Sequence, residues 1–210
     1  MQEPPGPIAA LPLVMLAGMV DAIGWLRLQH RFLSFMSGNT TMLGVALAEA
    51  AWTTAAELLA IVLLFVLGAT LGGMLGQLAG AWRRAALLAS CTALLGAAMA
   101  VPEQAALLLL VPAMGSLNAA LPQVSGITFV TGALARGGLA LAAALCGQGG
   151  WRAAGLSLAS WAALCLGAVI GAALELQAGR SAVIAAAGYA GMLTVLAVAR
   201  RLVSSGRGPA

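Results

Sequence analysis

The chain has 210 residues, 62% of them hydrophobic and 8% charged, with a mean hydropathy of +1.02, whereas a soluble domain carries about a quarter charged residues. That composition excludes a water-soluble fold. The net charge of +4 has no nucleic-acid reading either, since all ten basic residues are Arg, placed mostly at the ends of apolar runs and without interleaved aromatics.

The first apolar segment runs from Ile8 to Leu26. The residues before it lack the basic start of a signal peptide and the run is too long for the apolar part of one, so it is expected to persist as the first membrane helix. Asp21 interrupts it near its end, where an ionisable group is costly and points to function. Three roles stay open for Asp21: a proton or cation coupling site, an ion pair with Arg136, or a structural acceptor that caps a short helix at Ser37 to Thr40. Trp25, like Trp52, Trp82 and Trp151, falls near a segment end, as interfacial anchors do, and an aromatic cage is not expected. His30, the single His, follows at the segment end as a polar interfacial residue or a proton relay.

The second segment, Phe32 to Ala48, contains SFMSGNTTMLG. A β-prone stretch, Phe32 to Met36, precedes a Ser-Gly step and a helical tail. If the helix begins near Ser37 or Asn39, then Ser37, Asn39 or Thr40 can cap it, and Gly38 permits close backbone approach. Free N–H groups at such a helix start suit a carboxylate, another anion or a polarised carbonyl. The plainer alternative is that these small residues let helices pack closely.

The third segment, Ala55 to Ala81, carries Gly68, Gly72 and Gly76 at intervals of four, matched by Gly167 and Gly171 in the seventh. These stripes are expected to pack helix on helix, within the subunit or in a homodimer. The fourth segment is Ala85 to Val101 and the fifth, Ala105 to Leu121, holds Asn118. The sixth, Ile127 to Cys146, opens ITFVTGALARG and supplies Thr128, Thr131 and Gly132, with Arg136 beyond. Arg136 either binds an anionic substrate or snorkels to the cytoplasmic interface. Ala153 to Leu174 and Ser181 to Ala199 complete the eight, followed by a short cytoplasmic tail, residues 201–210.

The halves resemble one another in order: AGMVDA, FMSGN and LGATLGG are echoed by AMGSLNA, FVTGA and LGAVIGA. Gly18 to Gly115, Gly38 to Gly132 and Gly68 to Gly167 are 97, 94 and 99 residues apart. Asn118 thus corresponds to Asp21. Repeat one spans about residues 8–101 and repeat two about 105–200 of a single membrane domain, 1–210.

If all eight segments cross, Arg divides almost evenly between the two sides. If the second and sixth enter and leave on one side, Arg83, Arg84, Arg136, Arg152, Arg200, Arg201 and Arg207 share the side of both termini. Arg27, Arg31 and Arg180 then lie opposite with Glu49, Glu57, Glu103 and Glu175. The Arg excess places both termini in the cytoplasm. Three crossings per half orient the halves oppositely. The expected fold is an all-α integral membrane protein of about six transmembrane helices plus two discontinuous, re-entrant strand–half-helix segments, as a 3+3 inverted repeat.

Cys91, Cys146 and Cys165 have no metal or disulfide spacing, and no catalytic or metal motif occurs, so neither enzyme activity nor a cofactor or metal is expected. Asp21, Ala22, Gly38, Asn39 and Thr40, with Asn118, Ala119, Thr131 and Gly132, resemble the YoaK-type family. That family comprises small bacterial membrane proteins catalogued as a domain of unknown function, and the likeness covers Leu13 to about Arg200. It implies about six membrane segments in the bacterial inner membrane and brings no substrate. A looser similarity of layout links the chain to the core of uracil-permease and sulfate-permease-like carriers, where paired strand–half-helix elements form the substrate site.

The function expected from the sequence is a small secondary transporter or permease. It would bind a small polar or anionic solute, with proton or cation coupling, between two half-helix N-termini near the membrane midplane. Its site would comprise Asp21, Ser37, Gly38, Asn39, Thr40, Asn118, Thr128, Thr131 and Gly132. Membrane lipid and a second copy through the glycine faces are the other expected partners. The alternative is a non-transporting membrane scaffold or assembly factor.

Overall fold

A computed structural model describes residues 7–120, 130–179 and 181–206. Among them the regular structure is helical, with no strand. A 3-10 turn at Pro7–Ala10 leads into α1 (Leu11–Arg27), followed by α2 (Met36–Ala48) and α3 (Trp52–Ala79). A second 3-10 turn at Gly80–Trp82 leads into α4 (Arg83–Ala97). Then come α5 (Glu103–Leu117), extended by a 3-10 turn at Asn118–Ala120, α6 (Val130–Leu145), α7 (Trp151–Ala178) and α8 (Ser181–Gly206). Each apolar run thus becomes one helix, as it must where no water is present to satisfy free backbone groups.

Among the described residues, four stretches are long and apolar enough to cross a membrane: Ile8–Arg27, the Trp52–Ala97 run shared by α3 and α4, Trp151–Ala178 and Ser181–Ser205. Ala105–Ala120 and Val130–Leu145 are apolar but shorter. The outside of the bundle is oily. Leu63, Leu71 and Met74 on α3, Leu176 on α7 and Val195 on α8 are each more than half exposed, which suits hydrocarbon and not water. The buried core is also apolar and gathers on α1, α4, α5 and α8, with Leu13, Leu16, Leu87, Leu88, Val111 and Met114 fully enclosed.

The principal helix pairs are α1 on α7, α3 on α5 and α4 on α8, while α2 lies on α3 and α6 on α7. Glycine sets how closely the first two pairs approach. A Cβ at Gly18 would run into the carbonyl oxygen of Leu164, and one at Gly167 or Gly171 into those of Met15 or Met19. Across α3 and α5, a Cβ at Gly68 would meet the Pro112 backbone and one at Gly115 the Phe65 carbonyl. In lipid, where apolar burial between helices gains little, such close van der Waals contact is what holds helices together. The glycine stripes are therefore spent inside the chain: Gly68, Gly72, Gly167 and Gly171 are buried and Gly76 is covered by the Arg83 side chain. The glycines named for an expected homodimer, Gly68, Gly72, Gly76, Gly167 and Gly171, thus pack against residues of the same chain.

Charged residues mark the two ends. Arg27 at the end of α1 forks onto Glu175 of α7, with N–O distances of 2.8–3.0 Å, and Arg31 reaches Glu57 of α3 at 3.2 Å. At the opposite end Arg83 Nε donates to the Ala119 carbonyl at 2.8 Å and Arg84 to the Ala9 carbonyl at 3.0 Å. Hence α1 and α7 both run toward the Arg27 end, and α3 and α5 both run away from it. Arg180 and Arg207 lie outside the described residues.

The chain after α1 turns back on itself. Leu28–Arg31 reverse direction through left-handed conformations at Gln29 and His30, and Leu33 then packs against Gly24, where any side chain would collide with it. From there α2 returns antiparallel to α3, joined by a tight turn at Glu49–Ala51, with Ala46 packed on Ala55 and Leu58. With 13 residues α2 is about 20 Å long, too short to cross a layer of about 30 Å. The strand expected at Phe32 to Met36 is not formed. Phe32–Phe35 is irregular, and its backbone is satisfied by two side chains instead of a neighbouring strand. The corresponding stretch before α6, from Ile127, lies outside the described residues.

Candidate functional site

The two side chains that hold Phe32–Phe35 are Asp21 and Asn39. Asp21 Oδ1 accepts the backbone N–H groups of Leu33 at 2.7 Å and Ser34 at 2.6 Å, and Oδ2 accepts the Ser34 hydroxyl at 2.6 Å. Asn39, fully buried, accepts the Phe32 N–H at 3.2 Å and donates Nδ2 to the Phe32 carbonyl at 2.7 Å. Non-helical backbone at this depth needs such partners, because lipid offers none. Of the three roles open to Asp21, the structural one is realised in altered form: it clamps the entry loop of α2, not the first turn of the helix.

The start of α2 differs from expectation in a second way. No side chain caps it. The Met36 N–H donates to the Ser34 carbonyl, and the Gly38 and Asn39 N–H groups both donate to Phe35. The Thr40 hydroxyl bonds to the Met36 carbonyl at 2.8 Å, and both Ser37 and Thr40 are exposed. Donors committed to the loop leave this helix start poorly suited to an anion. Gly38 is closed off as well, since a Cβ there would strike the Phe35 ring. Arg136 is exposed on α6 and makes no ion pair with Asp21; the described ion pairs are Arg27–Glu175 and Arg31–Glu57.

A cavity of about 560 Å³ opens between α1 and α7 beside this loop. Asp21 and Ala22 of α1, Phe32 and Phe35 of the loop, and Val130 and Thr131 at the start of α6 all line it. Of the nine expected site residues, Asp21 and Thr131 line this cavity; Ser37, Gly38, Asn39, Thr40, Asn118 and Gly132 do not. Asn118 bonds back to the Met114 carbonyl at 3.0 Å, Gly132 sits half-buried in the first turn of α6, and Thr128 lies outside the described residues.

The remaining walls were not foreseen. Trp25 and Trp161 face the cavity together with Leu134 and Leu164. Trp25 packs on Phe32 with ring centres 4.7 Å apart and on His30 at 4.8 Å, while Phe32 meets Phe35 edge-on at 5.2 Å. Two signals were available in the sequence. Trp25 follows Asp21 by four residues and so shares its helix face, and Trp161 stands in mid-segment, where no interface anchors it.

Residues 9–196 match the family described as "Protein of unknown function (DUF1275)". A UPF0700 transmembrane protein of Rhizobium meliloti (strain 1021) is 36% identical over 177 residues, covering 78% of this chain and 73% of that protein. No solved structure matches the chain.

Proposed function

Because the chain belongs to this DUF1275 family of membrane proteins, whose function is unknown, we propose from its cavity that it is a small permease, with the solute bound between α1, α7 and the starts of α2 and α6. The observation that carries this is the composition of the cavity wall. Residues from both halves of the sequence converge on one space of about 560 Å³, within the range of small-molecule sites, and a carboxylate and the Thr131 hydroxyl stand among apolar and aromatic residues.

The helix pairings support a 3+3 inverted repeat. Exchanging α1–α4 with α5–α8 carries the α1–α7 pair onto α5–α3, α2–α3 onto α6–α7, and leaves α4–α8 paired with itself. The glycine contacts follow the same exchange: Gly18 against Leu164 answers Gly115 against Phe65, at spacings of 97 and 99 residues. In this reading α2 and α6 are re-entrant half-helices and the other six helices cross. The cavity then lies part-way across the bilayer, since Asp21 is six residues, about 9 Å, short of the end of α1.

The excess of Arg at the Arg83 end supports a reading in which both termini face the cytoplasm of a bacterial inner membrane. The exposed native Cys146, at the end of α6, tests this orientation. An impermeant maleimide should label it in inverted vesicles and not in intact spheroplasts, with Cys146→Ser as control; labelling from outside would reverse the topology.

The solute is sought by thermal shift on detergent-purified protein, followed by uptake of any hit into proteoliposomes. At least one small solute should raise the Tm, and Ala22→Trp, which fills the cavity beside Asp21, should remove that shift and the uptake. If a folded Ala22→Trp protein keeps both, or if no solute in the screen stabilises the wild type, the permease proposal fails and a scaffold role gains ground.

A further inference from the structure

We infer that the cavity recognises an organic cation with an apolar body, a deeper reading that rests on the permease proposal. Asp21 is the one ionisable residue among the described residues that line the cavity. Its three described hydrogen bonds are all donated to it, by two N–H groups and a hydroxyl, which is how an ionised carboxylate is satisfied.

Among the described residues no guanidinium pairs with Asp21. Arg27, one turn and a half beyond Asp21 on α1, is held by both oxygens of Glu175, and Arg31 is paired with Glu57. Asp21 thus lines the space with no described cationic partner.

The aromatic walls have the same preference. Trp25, Phe32 and Phe35 form one contiguous group on the Asp21 side, and Trp161 contributes from α7. Aromatic faces carry partial negative charge and attract cations, Trp most strongly, and more so where water is excluded. Leu134, Leu164 and Val130 supply hydrocarbon for the remainder of a ligand. A sugar or an inorganic anion would find almost nothing here to replace its hydration, and an anion would meet repulsion from Asp21. The chemistry complementary to the wall is a protonated or quaternary amine attached to an aromatic or aliphatic group.

Three probes of similar size separate charge from shape: benzylammonium, benzyl alcohol and benzoate, titrated into the full chain in non-ionic detergent by calorimetry at pH 7. Benzylammonium should bind at least about tenfold more tightly than benzyl alcohol, and benzoate should not bind. Asp21→Asn should bring the cation-to-alcohol ratio close to one. As that variant also disturbs the loop, Trp161→Leu provides a second arm, in which benzylammonium affinity should fall several-fold more than that of benzyl alcohol. Equal binding of benzylammonium and benzyl alcohol by wild type would overturn the cation assignment while leaving the cavity as a solute site. Preference for benzoate, or binding of none of the three, would also overturn it, and the permease proposal would then stand or fall on the wider solute screen alone.

Discussion

Asp21→Ala should lower the stability of the folded protein by about 4 kcal/mol in a reversible SDS unfolding titration, because it strands three buried donors together, each costing roughly 1–3 kcal/mol when left unpaired. The donors are the N–H groups of Leu33 and Ser34 and the Ser34 hydroxyl, on residues that are 0% and 2% exposed. Water cannot reach them at that burial, and lipid has nothing to offer. The entry loop of α2 should come loose, and with it Phe32 and Phe35, so solute binding should be lost along with stability. Asp21→Asn should cost about half as much, since its remaining oxygen can still accept and the Ser34 hydroxyl can rotate to accept from the new amide. A loss below about 1 kcal/mol for the alanine variant would mean that the clamp is not structural, and proton or cation coupling would become the leading role for this carboxylate.

The second large effect belongs to the glycines, and two neighbours on α3 isolate it. A Cβ at Gly72 would collide with the backbone and Cβ of Ser116, whereas one at Gly73 meets nothing within 4 Å. Gly72→Ala should therefore cost about 2–3 kcal/mol, the upper part of the range for overpacking, because the obstacle is helix backbone and cannot swing away. Gly73→Ala should be neutral, or stabilising by up to about 1 kcal/mol through helix propensity. On α7, Gly171→Ala should behave like Gly72→Ala, since its Cβ would strike Met19 of α1. Equal costs at Gly72 and Gly73 would mean that the α3–α5 contact is not as close as described. A harmless Gly171→Ala would remove one support of the inverted repeat.

Much of the helical layout was legible from the sequence. The eight apolar runs foretold the eight described helices because hydrocarbon demands that backbone groups pair locally, and that demand can be read from composition alone. Asp21 and Asn39 stood out for the same reason: a polar side chain in such a run must find a partner. The identity of the partner was not legible. Asp21 pairs with residues 12 and 13 places away across a reversal, and the reversal depends on left-handed Gln29 and His30, which no local preference announces. A strand was expected at Phe32 to Met36 from its β-prone residues, and a loop forms instead because side chains, not a second strand, supply its hydrogen bonds.

The glycine stripes were legible as packing surfaces but not as to what they pack against. Gly167 and Gly171 could have served a second subunit until α1 was found lying on them. The aromatic cavity was the least legible feature, since it assembles Trp25, Phe35, Thr131 and Trp161 from four separate parts of the chain. The sequence by itself determined that this protein is helical, oily on the outside and furnished with a few polar residues that must be satisfied internally, because those properties follow from the energetics of single segments in lipid. Only the tertiary structure decided which helices meet, and hence that the carboxylate shares a cavity with aromatic rings, because contacts between distant segments depend on shape and close approach that no single segment contains.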